Sequence, residues 1–229
     1  MNDYIYNEND NLSALVTAEP ELLLTLSHFG IPMGFGDKTI AQVCNEHGVD
    51  PQFFLLIGQV YSNDSYEPSL STIMSTNMEG LVPYLLRSHD YYLNRRLPHI
   101  GCHLDKIASL LPLRAGKAIK GFFKLYIDEV REHFSHEEST VYPHISRLLK
   151  HEGDGSFTIK SYLEAHDSLE DKLNDLVQII FKYLPAGDDD AIDMVFDILQ
   201  LAHDLRKHSL IEDKILGPYV KQLEKNAAL

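Results

Sequence analysis

The sequence predicts an all-α protein: a four-helix up-down bundle preceded by a small helical N-terminal domain. Three observations carry this expectation. From about residue 76 onward, apolar residues recur at helical spacing in four long stretches joined by short connections. No segment alternates apolar and polar residues with the period of two that a half-buried strand requires. The second pair of long stretches also repeats the first, at offsets of 77 residues (His89 to His166) and 75 residues (His133 to His208), as two related helix hairpins would.

The elements are taken in chain order. Residues 1–12 are polar and read as a disordered tail. Residues 13–64 read as a small domain of three short helices. The first spans about 14–29, with Pro20 near a first turn and Gly30 at its end. The second spans about 39–47, begun by Thr39 and closed by Gly48. The third spans about 51–62, with Asp50 as N-cap and Pro51 in the first turn. Residues 65–75 read as a linker. Thr76 and Glu79 have the spacing of a capping box, so the bundle (76–226) is expected to start there. Its first helix carries Leu81, Leu85, His89, Tyr92 and Leu93, with a kink expected at Pro98. The second spans about 116–150, the third about 158–184 and the fourth about 190–226. The loops HEGDGS and PAGDDD separate them.

Composition limits the function. A net charge of −14 argues against binding nucleic acid or an anionic membrane surface, both of which need clustered Lys and Arg. Two distant cysteines, Cys44 and Cys102, form no disulfide framework and suit a reducing cytoplasm. No run approaches the 18 apolar residues of a membrane span, and the polar start is unlike a secretory signal. Histidine is abundant: there are 12, ten of them from His89 onward.

Those histidines form a pattern. His133 and Glu137 are four residues apart, as are His208 and Glu212, and a proline comes ten residues after each histidine (Pro143, Pro218). Residues four apart on a helix share a face. His89 and His166 repeat one another on the first and third helices. All six lie on the apolar stripe of their helix, where unpaired polar groups are costly. A pseudo-two-fold would gather them at one level. Four imidazoles and two carboxylates suit borderline first-row metals, and two carboxylates can bridge two ions. Iron matches this set; manganese and zinc also meet the ligand type. A single buried histidine or a single surface ion pair would need no metal. A metal-free bundle would leave all six groups buried without partners. The Glu-x-x-His arrangement of ferritin-type bundles is absent, since no histidine here has a Glu three residues before it.

Other residues stay open. Glu170 could be a ligand, an acid behind a ligand, or a polar residue near the bundle end. Glu129 could hydrogen-bond a ligand or pass protons, or face solvent. Glu138 and Asp213 lie one step round the helix, either behind a ligand or exposed. His99, His103, His136, His144, His151 and His203 read as surface or supporting residues. Tyr92 and Tyr126 either line the pocket or pack in the core.

The segments SHDYYLNRRLPHI, HFSHEESTVYPHI, LEAHDSLEDKL and HSLIEDKILGP together resemble the hemerythrin-like (HHE cation-binding) family, nearest its repair-of-iron-centres branch, over about residues 77–222. The resemblance implies a non-haem di-iron centre, oxo- or hydroxo-bridged, held by His89, His133, Glu137, His166, His208 and Glu212. Hemerythrin proper has a second histidine where this chain has Glu170, which favours the repair branch over an oxygen carrier. The stretch FGIPMGFGDKTIAQVCNEHGVDP is similar in layout to that branch's N-terminal domain, but Gly34 and Phe35 stand where its adjacent loop cysteines would be. The implied role is in nitrosative and oxidative stress, by repair of iron–sulfur clusters or by reaction with NO or O2. The alternative is O2 or NO binding and sensing without turnover. The implied partners are a diatomic ligand and iron–sulfur proteins.

Overall fold

The computed structural model describes residues 6–150, 157–164, 169–183 and 189–227. The protein is all-α, a helical bundle preceded by N-terminal helices. Among the described residues there is no strand, only an isolated bridge between Asn11 and Thr39. The chain divides into two compact units: Met1–Ser88 with His144–Glu164 and Leu210–Leu229, and His89–Pro143 with Ala165–Ser209.

The first unit begins with five short helices: α1 (Leu12–Ala18), α2 (Leu22–Phe29), α3 (Ile40–Glu46), α4 (Pro51–Ser62) and α5 (Leu70–Ser75). Local chemistry sets their ends. Thr39 and Gln42 form a reciprocal capping box. The Asp50 carboxylate accepts from the Phe53 N–H at 2.8 Å. Gly30 takes a left-handed φ of 73°, which closes α2. The single helix expected over 14–29 is two helices. Pro20 cannot donate the interior hydrogen bond and would strike the preceding turn, so the chain breaks there. The described part of the tail is tied down: the Glu8 and Asp10 carbonyls accept from the N–H groups of Ala41 and Ile40. The stretch read as a linker contains α5, capped by the Ser69 hydroxyl.

α6 (Leu81–Tyr91) starts later than the capping-box spacing suggests. The Thr76 hydroxyl instead donates back to the Thr72 carbonyl at the end of α5, and Asn77 caps the Glu79 N–H. Tyr84, near the start of α6, packs with Phe29 and Phe53 at ring separations of 4.7 and 6.5 Å. α9 (Tyr142–Leu149), α10 (Ile159–Glu164) and α13 (Gly217–Ala227) add to this unit. Leu163 lies where a Cβ on Gly217 would stand, so a glycine is required for that close approach. Lys214 donates to the carbonyls of Asp64 and Tyr66 and pairs with Glu67 at 2.7 Å, which ties the last helical run to the end of the N-terminal helices.

The second unit contains the bundle core. It is built by α7 (Leu97–Leu110), α8 (Leu113–His136), α11 (Leu169–Tyr183) and α12 (Asp189–Ile211). Their apolar faces bury Ile100, Leu104, Ile119, Phe123, Val130, Leu173, Leu176, Ile180, Ile198 and Leu201 among others. Helices this long gain most of their stability from such a shared face. α7 and α8 turn back on each other at Leu111–Pro112; Leu111 is extended because a proline after it disfavours the helical conformation. Gly116 allows the two helices to touch, since a Cβ there would collide with the Ala108 carbonyl.

Among the described residues, three helical runs contain a five-residue π turn: Tyr92–Arg96, Glu137–Val141 and Glu212–Leu216. In each, the residue after the turn donates to a carbonyl five residues back: Leu97 to Tyr92, Tyr142 to Glu137 and Gly217 to Glu212. In each, a proline (Pro98, Pro143, Pro218) stands two residues beyond the turn. The proline lacks an N–H where the widened turn has already shifted the hydrogen-bond register. The interruption expected at Pro98 thus takes the form of a π turn within a continuing helix, and it recurs twice more.

Candidate metal centre

The widened turns lie beside the chemistry-bearing residues. His89 precedes the first by three positions. Glu137 and Glu212 are the first residues of the second and third, each four after a histidine. His89, Glu137 and His208 are buried and offer ligand atoms within 4.8 Å of one another. His133 is adjacent, its Nε2 2.8 Å from Glu137 Oε1. Glu212, one turn beyond His208 on the same helical run, is fully buried. His166 lies outside the described residues, as do His151 and the side chain of Glu170.

The hydrogen bonding fixes what these atoms can do. His89 Nδ1 lies 2.9 Å from Glu138 Oε1. A neutral imidazole has one N–H, and this contact places it on Nδ1, leaving a lone pair on Nε2. That Nε2 is 3.0 Å from Glu137 Oε2 and 3.3 Å from His208 Nε2. Electron-rich atoms held this close in a dry site repel unless a cation or a proton lies between them. One proton on Nε2 can point at only one of the two neighbours; a metal ion satisfies all three. Donors bound to one ion at about 2.0–2.1 Å stand about 3 Å apart, which is the spacing here. The residues therefore fit a metal.

The surroundings hold this geometry. The His89 ring stacks on Phe134, 3.8 Å between centroids and 8° from parallel. Tyr92 donates to the Asp204 carbonyl at 3.3 Å, and its ring meets His208 edge-on at 5.8 Å. Burial opposes ionisation of Glu137, but the polar contacts of its two oxygens with His133 and His89 outweigh it and hold the carboxyl well below the usual carboxylate range. An ionised, buried carboxylate between imidazoles is a ready cation ligand.

Some open readings are decided. Glu129 takes the surface alternative: it pairs with Lys172. Tyr126 is buried in the core, stacked on Phe123. His144 is not on the surface. It is buried, with Nε2 2.9 Å from Glu224 Oε1, which also caps the Ile159 N–H. Sequence reasoning misses two residues. The Tyr142 hydroxyl is 3.3 Å from His89 Nε2 and 3.5 Å from Glu137 Oε2. Tyr142 is five residues after Glu137, a spacing that shares a face in a π turn but not in an α-helix; only Pro143 hints at it. Asp204 is a buried carboxylate one turn before His208, legible as an acid four residues from a candidate ligand.

A comparison with known families adds to this geometry. The family of the hemerythrin HHE cation-binding domain matches residues 83–220, more than half of the chain. The chain belongs to this family. The matched domain spans His89, Glu137, His208 and Glu212, so a cation-binding domain and a buried His/Glu group coincide. No curated protein matches the chain. No helix among the described residues is long and apolar enough to cross a membrane.

Proposed function

We propose that this protein holds a non-haem di-iron centre through His89, His133, Glu137, His166, His208 and Glu212, and acts in nitrosative and oxidative stress in the cytoplasm. The observation that carries the reading is the division of Glu137: one carboxylate oxygen faces His89 and the other faces His133. A carboxylate shared in this way suits two ions rather than one. When bound, such a centre supplies reversible one-electron chemistry and a position for a diatomic ligand, NO or O2.

The chain's own residues do the rest. Glu138 holds the Nδ1–H of His89 and so keeps Nε2 available, as an outer carboxylate does for a ligating histidine. Phe134 and Tyr92 exclude water from the imidazoles. The Tyr142 hydroxyl donates toward Glu137 Oε2 and would help to hold that carboxylate in place. In the repair reading, iron passes from this site to damaged clusters of iron–sulfur proteins. The helices of 13–64 are then an accessory module preceding the bundle of 76–226.

A second reading, reversible binding and sensing of O2 or NO without turnover, gains support from Cys44. Its thiol is buried in α3 and is pushed up to about 12, by burial first and by Asp50 second, so it offers no nucleophilic thiolate near neutral pH. With Gly34 and Phe35 in the loop, the N-terminal helices bring no reactive thiol to repair chemistry. The deciding experiment incubates iron-loaded protein with an iron-depleted cluster enzyme and, separately, with NO and O2. Restored enzyme activity supports repair. A reversible spectral change with no consumption supports sensing. Absence of both responses from the iron-loaded chain sinks both readings.

A further inference from the structure

A second group of ligand-type side chains stands apart from the buried centre, on the outside of the bundle. His99 and His103 are one turn apart on α7, and Asp197 faces them from α12. One ligand atom from each lies within 4.8 Å of the others. His99 Nε2 is 3.1 Å from Asp197 Oδ2, and the two imidazole rings are 4.5 Å apart, tilted by 48°. Arg96 holds the other side of the carboxylate: its Nη2 is 3.1 Å from Asp197 Oδ1 and 2.8 Å from Gln200 Oε1. The guanidinium therefore competes for one oxygen while it fixes the carboxylate plane and leaves Oδ2 turned toward the histidines.

We infer that His99, His103 and Asp197 form a second, surface site for a divalent transition-metal cation of the zinc class, independent of the buried centre. The chemistry comes from the donor set. Two imidazoles on successive turns and one carboxylate are three protein ligands of the borderline type, with the remaining positions open to water. The 3.1 Å separation of Nε2 and Oδ2 matches the spacing of adjacent donors on an ion bound at about 2.0–2.1 Å. His99 is half-exposed, so an ion can enter and leave without opening the core. The ligands come from two helices, and a bound ion joins α7 to α12.

The test titrates Zn2+ alone into the full-length chain and counts bound equivalents, with the thermal midpoint tracked in parallel. Three chains are compared: the parent, His103→Gln and His208→Ala. The expected result is that His103→Gln binds one equivalent fewer, or binds it at least about tenfold more weakly, the scale on which metal sites respond to lost support. Its helical circular dichroism and iron content should match the parent's. With iron already in the buried centre, the Zn2+-dependent rise in thermal midpoint should vanish in His103→Gln; it should persist in His208→Ala. Should His208→Ala not fold, His99→Gln takes its place as a second surface variant and must behave as His103→Gln does. Equal Zn2+ stoichiometry and affinity in the parent and the surface variants would overturn the inference.

Discussion

Glu138 shows how one exposed-edge residue can set the chemistry of a buried one. Its carboxylate lies 2.9 Å from His89 Nδ1 and decides which imidazole nitrogen faces inward. Glu138→Ala frees the tautomer and should lower iron affinity by about 10–100-fold with little loss of stability, measured by iron retention against a chelator. Retention equal to the parent's would remove Glu138 from the account. The two cysteines make a second residue-level case. Cys102 is exposed and Cys44 is buried. A thiol reagent at neutral pH should therefore modify one cysteine in the native chain and two in denaturant; two fast native modifications would contradict the buried thiol. The raised Cys44 pKa also sets a pH dependence. The folded state keeps the proton longer than the unfolded chain does, so the stabilisation is complete below the unfolded value of 9.0 and is lost as pH rises toward about 12. Denaturant titrations across that window should show the parent losing stability faster than Cys44→Ala.

The π turns matter most at the level of elements. Apolar periodicity of 3.6 made the long helices legible, and the i, i+4 spacing made His133, Glu137, His208 and Glu212 legible within them. It could not reveal Tyr142, because five-residue spacing means a different face in an α-helix. It likewise ran 14–29 together as one helix, since the apolar pattern continues across Pro20 while the backbone does not. Thr76 and Glu79 matched a capping box in spacing alone; Thr76 was already engaged at the end of α5. Deleting Ser139 would return the second π turn to α geometry and leave Tyr142 four residues after Glu137, still on the same face. Iron content and helical circular dichroism should then stay near the parent's; loss of iron would show that the widened turn itself shapes the site. The α7–α8 contact gives an independent check. Gly116→Ala places a methyl group on the Ala108 carbonyl and should cost about 1–3 kcal/mol in denaturant unfolding. A change near zero would mean the helices part there without cost.

Across the whole molecule, a cation-binding domain spans residues 83–220, and helices from both ends of the chain share one of its two compact units. In that unit Lys214, on the last helical run, holds the carbonyls of Asp64 and Tyr66. Lys214→Met should make the segment around residue 66 a faster site of limited proteolysis, and a parent-like cleavage pattern would argue that the link carries no weight. The sequence marked the N-terminal helices by their caps but could not show this tie, because a lysine reaching backbone carbonyls leaves no pattern in composition or spacing. The central claim concerns what the buried histidines and glutamates hold. The most direct measurement is iron quantification after anaerobic purification of the parent and of the His133→Ala/His208→Ala double variant. The account predicts about two iron ions per parent chain, as a site with two shared carboxylates and paired histidines holds, and loss of iron from the double variant. A parent chain that binds no iron, or a double variant that keeps as much as the parent, would contradict it.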